Sequence, residues 1–192
     1  PDRIEHAIGE SLERLGTYAD LLLIHWPHPN LPLEGMLETM RGAVETGAVK
    51  HLGVSNFPVA LVERAVQIAP IVCNQVEYHP YLSQSAVYDV CRKHGVAMTA
   101  YCPLAQGQVA TDPTLVRLAS EHGMDAGQLV LAWLIAKEGV VAIPKSTHAG
   151  RQASNLAAAS LRLSAEAQAT IDGLASGLRL CDPSFGPTWD VS

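Results

Sequence analysis

At 192 residues, 48% of them hydrophobic, the chain is long enough for one substantial core. Its formal charge of −6 argues against nucleic acid as a partner, which calls for a basic face. No apolar run reaches membrane-span length, the first residues carry no signal-peptide pattern, and the four cysteines show no CxxC spacing, so the expectation is a cytoplasmic protein with reduced thiols and no membrane partner.

The elements follow in chain order. Apolar residues at 4, 7, 8, 12 and 15 predict a helix over 3–15 with one buried face. Asp2 opens it, with a carboxylate suited to the positive end of the helix dipole. A strand over 20–25 follows, and Pro27, Pro29 and Pro32 then enforce a loop. A helix over 33–46 stops at Gly47, which takes a left-handed cap without strain. A strand over 49–54 leads to a helix over 58–68 that opens on Pro58. A strand over 71–76 and a helix over 83–94, closed by Gly95, come next. A strand over 96–101 runs into a loop containing Gly107. Helices over 113–122 and 126–138 precede a strand over 140–143, and a helix over 149–160 follows it. Ser164 with Glu166 signals the start of one more helix. From Gly177 the chain is rich in Pro and Gly, as an ordered tail or loop would be.

Strands alternating with helices imply a parallel sheet with crossover helices. Each strand runs into polar residues: His25, Ser55-Asn56, Gln75, Tyr101-Cys102 and Lys145-Ser146. In an eightfold barrel of such units the C-terminal strand ends share one pocket. Five units are visible, and the chain opens on a crossover helix. The expected fold is therefore an incomplete α/β TIM (β/α)8 barrel, with residues 1–192 forming the C-terminal portion of one domain, strands 4–8.

His25 reads either as a satisfied histidine at a strand end or as a proton donor or carbonyl polariser. Trp26 beside it offers a flat apolar wall. Ser55, Asn56 and Gln75 donate and accept at once, which matches a ligand carboxamide, and Tyr101 can stack on a flat ring. A flat ring bearing a carboxamide suggests nicotinamide. Lys145 and Ser146, near Arg151 where a strand passes into a helix, read as a phosphate site or as a solvated basic surface. Neither GxGxxG nor GxxxxGK[ST] occurs, so a nicotinamide site here is not a Rossmann one. No metal is assigned: HExxH is absent, Pro27 separates His25 from His28, and His79 and His148 lack the expected acidic ligands. No Ser-His-Asp set assembles, since Asp20 starts the strand that His25 ends. Cys73, Cys91 and Cys181 read as small packing residues, whereas Cys102 sits at a strand end.

The segments 22–27 (LLIHWP), 53–57 (GVSNF), 74–81 (NQVEYHPY) and 143–146 (IPKS) resemble the aldo-keto reductase family, in family order and over nearly the whole chain. The tail 178–183 (LRLCDP) with 186–190 (GPTWD) further resembles the bacterial 2,5-diketo-D-gluconic acid reductases of the B type. The resemblance implies a TIM barrel that uses NADPH to reduce aldehydes and ketones, here 2,5-diketo-D-gluconate or another α-dicarbonyl. It implies that His25 orients the substrate carbonyl, and that Trp26 lines the substrate pocket. Ser55, Asn56 and Gln75 would hold the nicotinamide carboxamide, and Tyr101 would stack on its ring. Cys102, Leu104 and Gln106 would lie along the pyrophosphate. Lys145, Ser146 and Arg151 would bind the 2′-phosphate, favouring NADP over NAD, with Asn155 near the adenine. Cys102 departs from the Ser of many relatives and leaves a weaker donor. The family's catalytic Tyr, Lys and Asp belong to the first three βα units, and Tyr18, Tyr78, Tyr81 and Tyr88 do not match its tyrosine motif. The expected partner is a small carbonyl compound and the complete protein a monomer. The alternative is a non-catalytic module that binds a dinucleotide or a partner protein.

Overall fold

The computed structural model describes residues 2–190. The chain divides into two compact units. The first comprises residues 2–75, Ala86–Ala97 and 183–190, and the second Val76–Ser85 and Met98–Asp182.

In the first unit α1 (Asp2–Leu15) has the apolar face its spacing predicts, but that face is not buried: Ile4, Ile8 and Leu12 are half-buried and Ala7 and Leu15 exposed. The Asp2 carboxylate expected at its start lies outside the described side chains. β1 (Ala19–Ile24), α2 (Leu33–Glu45), β2 (Val49–Ser55) and α3 (Val59–Ile68) follow, and most of β3 (Ile71–Glu77) and of α4 (Ser85–Lys93) also belongs here. β1 pairs parallel to β2 from Ala19↔Val49 to Ile24↔Val54. β2 pairs parallel to β3 with a register shift at Leu52/Gly53, which sets Ser55 against Gln75. Leu37, Leu52, Val54, Phe57 and Val62 are buried and form this unit's core. Gly53 is required by close approach: a Cβ there would lie 2.9 Å from the Cys73 carbonyl oxygen and against the Leu23 side chain. Gly47 adopts φ 76°, the left-handed turn expected after α2.

In the second unit β4 (Ala97–Tyr101) pairs parallel to β5 (Val140–Ala142), with Met98↔Val140 and Ala100↔Ala142. α5 (Pro113–Glu121) is capped by Asp112, whose side chain accepts from the Thr114 and Leu115 N–H groups. α6 (Ala126–Ile135) opens on a capping box between Asp125 and Gln128 and is buried along most of its length. α7 (Ala149–Ala157) and α8 (Ala165–Asp172) complete the set, with Ser164 capping α8 as expected. Three expectations are corrected. α6 ends at Ile135, three residues short of 138, and the helix expected over 149–160 becomes 3₁₀ from Ala158. The segment expected as a loop around Gly107 is a kinked 3₁₀ stretch, Ala105–Thr111.

β1, β2 and β3 run parallel, and so do β4 and β5, the sense that alternation with helices implied. Among the described residues no helix is long and apolar enough to cross a membrane.

Candidate active site

In the first unit the polar residues at the strand ends are tied together by hydrogen bonds. Ser55 Oγ donates to the Gln75 carbonyl at 2.8 Å, and the Asn56 N–H donates to the same carbonyl at 2.9 Å. Asn56 Nδ2 donates to the His25 carbonyl at 2.9 Å and to Ser55 Oγ at 3.1 Å. Three strand ends are thereby locked to one another, with Ser55 and Asn56 buried and Gln75 half-buried. His25 follows β1 with its ring exposed, so it is not a core histidine. Asp20 stands at the other end of the same strand, paired with Lys50. Trp26 is half-buried because the tail covers it: Phe185 meets it edge-on at 5.8 Å and Trp189 at 6.1 Å. Asp190 fastens that tail by accepting the Val59 N–H at 2.9 Å. The packing of Phe185 and Trp189 on Trp26 was not legible in the sequence, where only Pro and Gly punctuate the tail. A cavity of about 650 Å³ lies beside these aromatics, lined among others by Pro27, Leu31, Phe57, Leu61 and Phe185, and His25 is not on its wall.

In the second unit Lys145, Ser146 and Asn155 line one cavity of about 470 Å³. Arg151 reaches Ser146 Oγ through Nε at 3.3 Å, and the His148 N–H donates to the same oxygen at 3.1 Å. Ser146 thus sits at the N-terminus of α7, where free N–H groups and the helix dipole favour an anion. Lys145 and Arg151 are exposed, and neither has a carboxylate partner among the described residues. The sequence reading missed Gln152 and Leu156 on the same wall. Gln152, Asn155 and Leu156 are three and four residues apart and so share one helix face. Gln152 Nε2 donates to the Ser146 carbonyl at 2.7 Å, and Leu156 is 77% exposed, an apolar surface at the cavity's edge.

β4 delivers Tyr101 and Cys102, both half-buried. Burial pushes the Tyr101 phenol well above the usual tyrosine range, so it remains a neutral aromatic face. Cys102, Ala105 and Gln106 hold positive φ angles of 50°, 46° and 53°, and Asn56 holds 63°. These are the four non-glycine residues with positive φ among the described residues, and three of them are candidate site residues. Such backbone strain collects at ligand sites. Leu104, also half-buried, lies within the same turn. Glu77, at the end of β3, is fully buried. Its burial raises the carboxyl's pKa, but the hydrogen bonds from His79 and from the Leu180 and Cys181 N–H groups outweigh it and hold the group below its ordinary value. An ionised Glu77 makes His79 Nε2, 2.8 Å away, the donor. Cys181, expected as a packing residue, is half-exposed instead, whereas Cys73 and Cys91 are buried. Among the described residues no group of three or more His, Cys, Asp or Glu is placed to hold a metal ion.

Comparison with known proteins adds to this geometry. Residues 1–176 match the Aldo/keto reductase family. The chain is 36% identical over 196 residues to the methylglyoxal reductase DkgB of Escherichia coli O157:H7, covering 98% of this chain and 73% of that protein. It is 38% identical over 183 residues to an aldo-keto reductase of Mycobacterium avium (strain 104), covering 91% of this chain and 62% of that one. A crystal structure of a protein assigned as a 2,5-diketo-D-gluconic acid reductase B superposes with a TM-score of 0.96 at 36% identity, over 99% of this chain and 69% of that one. The Bombyx mori aldo-keto reductase AKR2E4, solved in complex with NADP, superposes with a TM-score of 0.87 at 33% identity, over 95% of this chain and 66% of its own.

Proposed function

The chain belongs to the aldo/keto reductase family of oxidoreductases, and from that premise we propose that it carries the NADPH-binding side of a reductase for small carbonyl compounds of the α-dicarbonyl type. The observation that carries the reading is the cavity at the start of α7, with Lys145, Ser146 and Asn155 on its wall and Arg151 bonded to Ser146. Two cations at a helix N-terminus suit a phosphate monoester, the group that distinguishes NADP from NAD. Leu156 and Asn155 give the adenine an apolar face and a polar edge. The left-handed backbone of Cys102 and Gln106, with Leu104 between them, forms a turn that would lie along the pyrophosphate. Tyr101 offers a neutral ring face to the nicotinamide, and Gln75, fixed with Ser55 and Asn56, addresses its carboxamide.

Bound in this way, the reduced nicotinamide supplies hydride to the carbonyl carbon. His25, exposed at the end of β1, orients the carbonyl oxygen, and Trp26 with its tail partners provides a dry wall. The five βα units correspond in this reading to strands 4–8 of the family's barrel, all within one domain over 1–192. The proton donor is the family's tyrosine, in the first three units. The whole protein is a cytoplasmic monomer. The names of the relatives favour methylglyoxal or 2,5-diketo-D-gluconate as substrates.

A second reading, a dinucleotide-binding module without turnover, is favoured by where the tyrosines lie. Tyr18 OH accepts from Lys50 at the N-terminal end of β1, away from His25. Tyr78 is buried against Trp133, and Tyr81 donates to Asp112, with burial pushing its phenol up to about 12. One experiment separates the two: NADPH titration of the 192-residue chain, followed by the rate of NADPH consumption with methylglyoxal. Binding with turnover supports the enzyme, binding without turnover supports the module, and no binding refutes both.

A further inference from the structure

Two amides stand side by side in β3, and the strand sends them to opposite faces. Gln75 is half-buried, whereas Asn74 is fully buried at 0% exposure. A buried amide is costly unless its polar atoms are used, and an apolar residue of that size would carry no such cost. Asn74 uses its atoms on Phe57. Its Nδ2 donates to the Phe57 carbonyl at 2.9 Å, and its Oδ1 accepts from the Phe57 N–H across a longer 3.5 Å. One side chain therefore holds both backbone groups of the residue that follows the Ser55-Asn56 turn. Asn56 keeps φ 63° there, a left-handed conformation that surrounding contacts must hold. On its other side the turn is tied to the Gln75 and His25 carbonyls by Ser55 and Asn56. The register that pairs Val54 with Asn74 and Ser55 with Gln75 sets the two amides against this turn. Pro58, at the N-cap of α3, adds no side-chain hydrogen bond of its own.

We propose that Asn74 is a positioning residue for the nicotinamide carboxamide. It touches no ligand. It fixes Phe57, and through Phe57 it fixes the left-handed Asn56 and the Ser55 hydroxyl beside Gln75. The proposal rests on the cofactor reading and deepens it, because it separates the residue that holds the turn from those that meet the ligand. With Asn74 replaced, the Phe57 N–H and carbonyl lose their partner, and Asn56 relaxes towards the negative φ that is otherwise preferred. Ser55 and Asn56 then no longer converge with Gln75 on one carboxamide. The residues proposed for the 2′-phosphate and the adenine belong to the other unit. Loss of Asn74 therefore acts on one end of the dinucleotide and spares the other.

The test uses the 192-residue chain and two ligands, NADPH and adenosine 2′,5′-bisphosphate, which has the 2′-phosphate and the adenine but no nicotinamide. Both are titrated by calorimetry into the wild-type chain, Asn74→Leu and Asn74→Ser, with thermal unfolding recorded alongside. Asn74→Ser, small and uncharged, decides the matter where Asn74→Leu does not fold. The expected result is NADPH binding weakened about tenfold, with bisphosphate binding changed by less than about twofold. Proportional loss of both ligands, or failure of both variants to fold, would make Asn74 a residue of general stability and overturn the proposal. Unchanged NADPH affinity in a folded variant would overturn it too, and would leave the cofactor reading standing. A wild-type chain that binds NADPH no more tightly than the bisphosphate would instead overturn the carboxamide reading, and this proposal with it.

Discussion

Lys145 and His25 are the residues on which the proposed chemistry turns, and their surroundings make separate predictions. Lys145 is exposed and lines the α7 cavity. Its replacement by Ala removes one charged hydrogen bond, about 1.5–3 kcal/mol, or about tenfold to a hundredfold in affinity. Lys145→Ala should weaken NADPH by that factor and leave NADH nearly unchanged in parallel titrations. Equal losses for both would show that Lys145 does not read the 2′-phosphate. His25→Ala, at an exposed ring, should shift stability by less than about 0.5 kcal/mol. In a protein carrying all eight βα units it should lower kcat while leaving NADPH affinity unchanged. A variant that unfolds, or that loses the nucleotide, would return His25 to a structural role. At this scale the strand-end residues were legible because βα alternation itself fixes where strands end. Gln152, Leu156, Phe185 and Trp189 were not, because ordinary helix and tail residues become walls only once the chain is folded.

Helices and strands were read from periodicity and punctuation, and misreadings gather where those signals fail. Ala136, Lys137 and Glu138 are good helix formers, yet α6 stops before them because the chain must turn at Gly139, φ 76°, to deliver Val140 beside Met98. The 3₁₀ stretch at 105–111 bends through positive φ at Gln106 and Gly107, too short and irregular for a period of 3.6. Gly53 in β2 reads as an ordinary strand glycine in sequence, but Leu23 and Cys73 leave no room for a Cβ. Gly53→Ala should therefore cost about 1–3 kcal/mol in denaturant unfolding. A loss below about 0.3 kcal/mol would show that the strands part easily there. Glu77 carries a pH dependence. Its carboxyl titrates below its ordinary 4.5 in the folded chain. The folded state therefore binds the proton less readily than the unfolded state. The stabilisation is complete above about 4.5 and is lost as pH falls through the folded value. Glu77→Gln should destabilise the chain at neutral pH by about 3 kcal/mol or more, since it leaves the partners of a buried charge mismatched. It should also flatten the fall in Tm below about pH 4.5. An unchanged acid limb would assign that fall to other carboxylates.

At the scale of the whole molecule, β1 pairs on one side with β2 and β5 on one side with β4, and each leaves apolar side chains open. Leu21 is 40% exposed on β1, and Val141 on β5 with Ile143 just beyond it is 52% and 44% exposed. Open parallel edges with apolar side chains favour association. The 192-residue chain should therefore self-associate at concentrations where a closed barrel is monomeric, as read by sedimentation. The parallel order and the family were legible from alternation and from the quoted segments, and the matches over residues 1–176 agree. The central claim is that these residues bind NADPH through its 2′-phosphate. Paired fluorescence titrations of the 192-residue chain with NADPH and NADH test it most directly. The account predicts saturable NADPH binding at least about tenfold tighter than NADH, in keeping with the energy of a charged hydrogen bond. Equal affinities, or no saturable binding of NADPH, would contradict it.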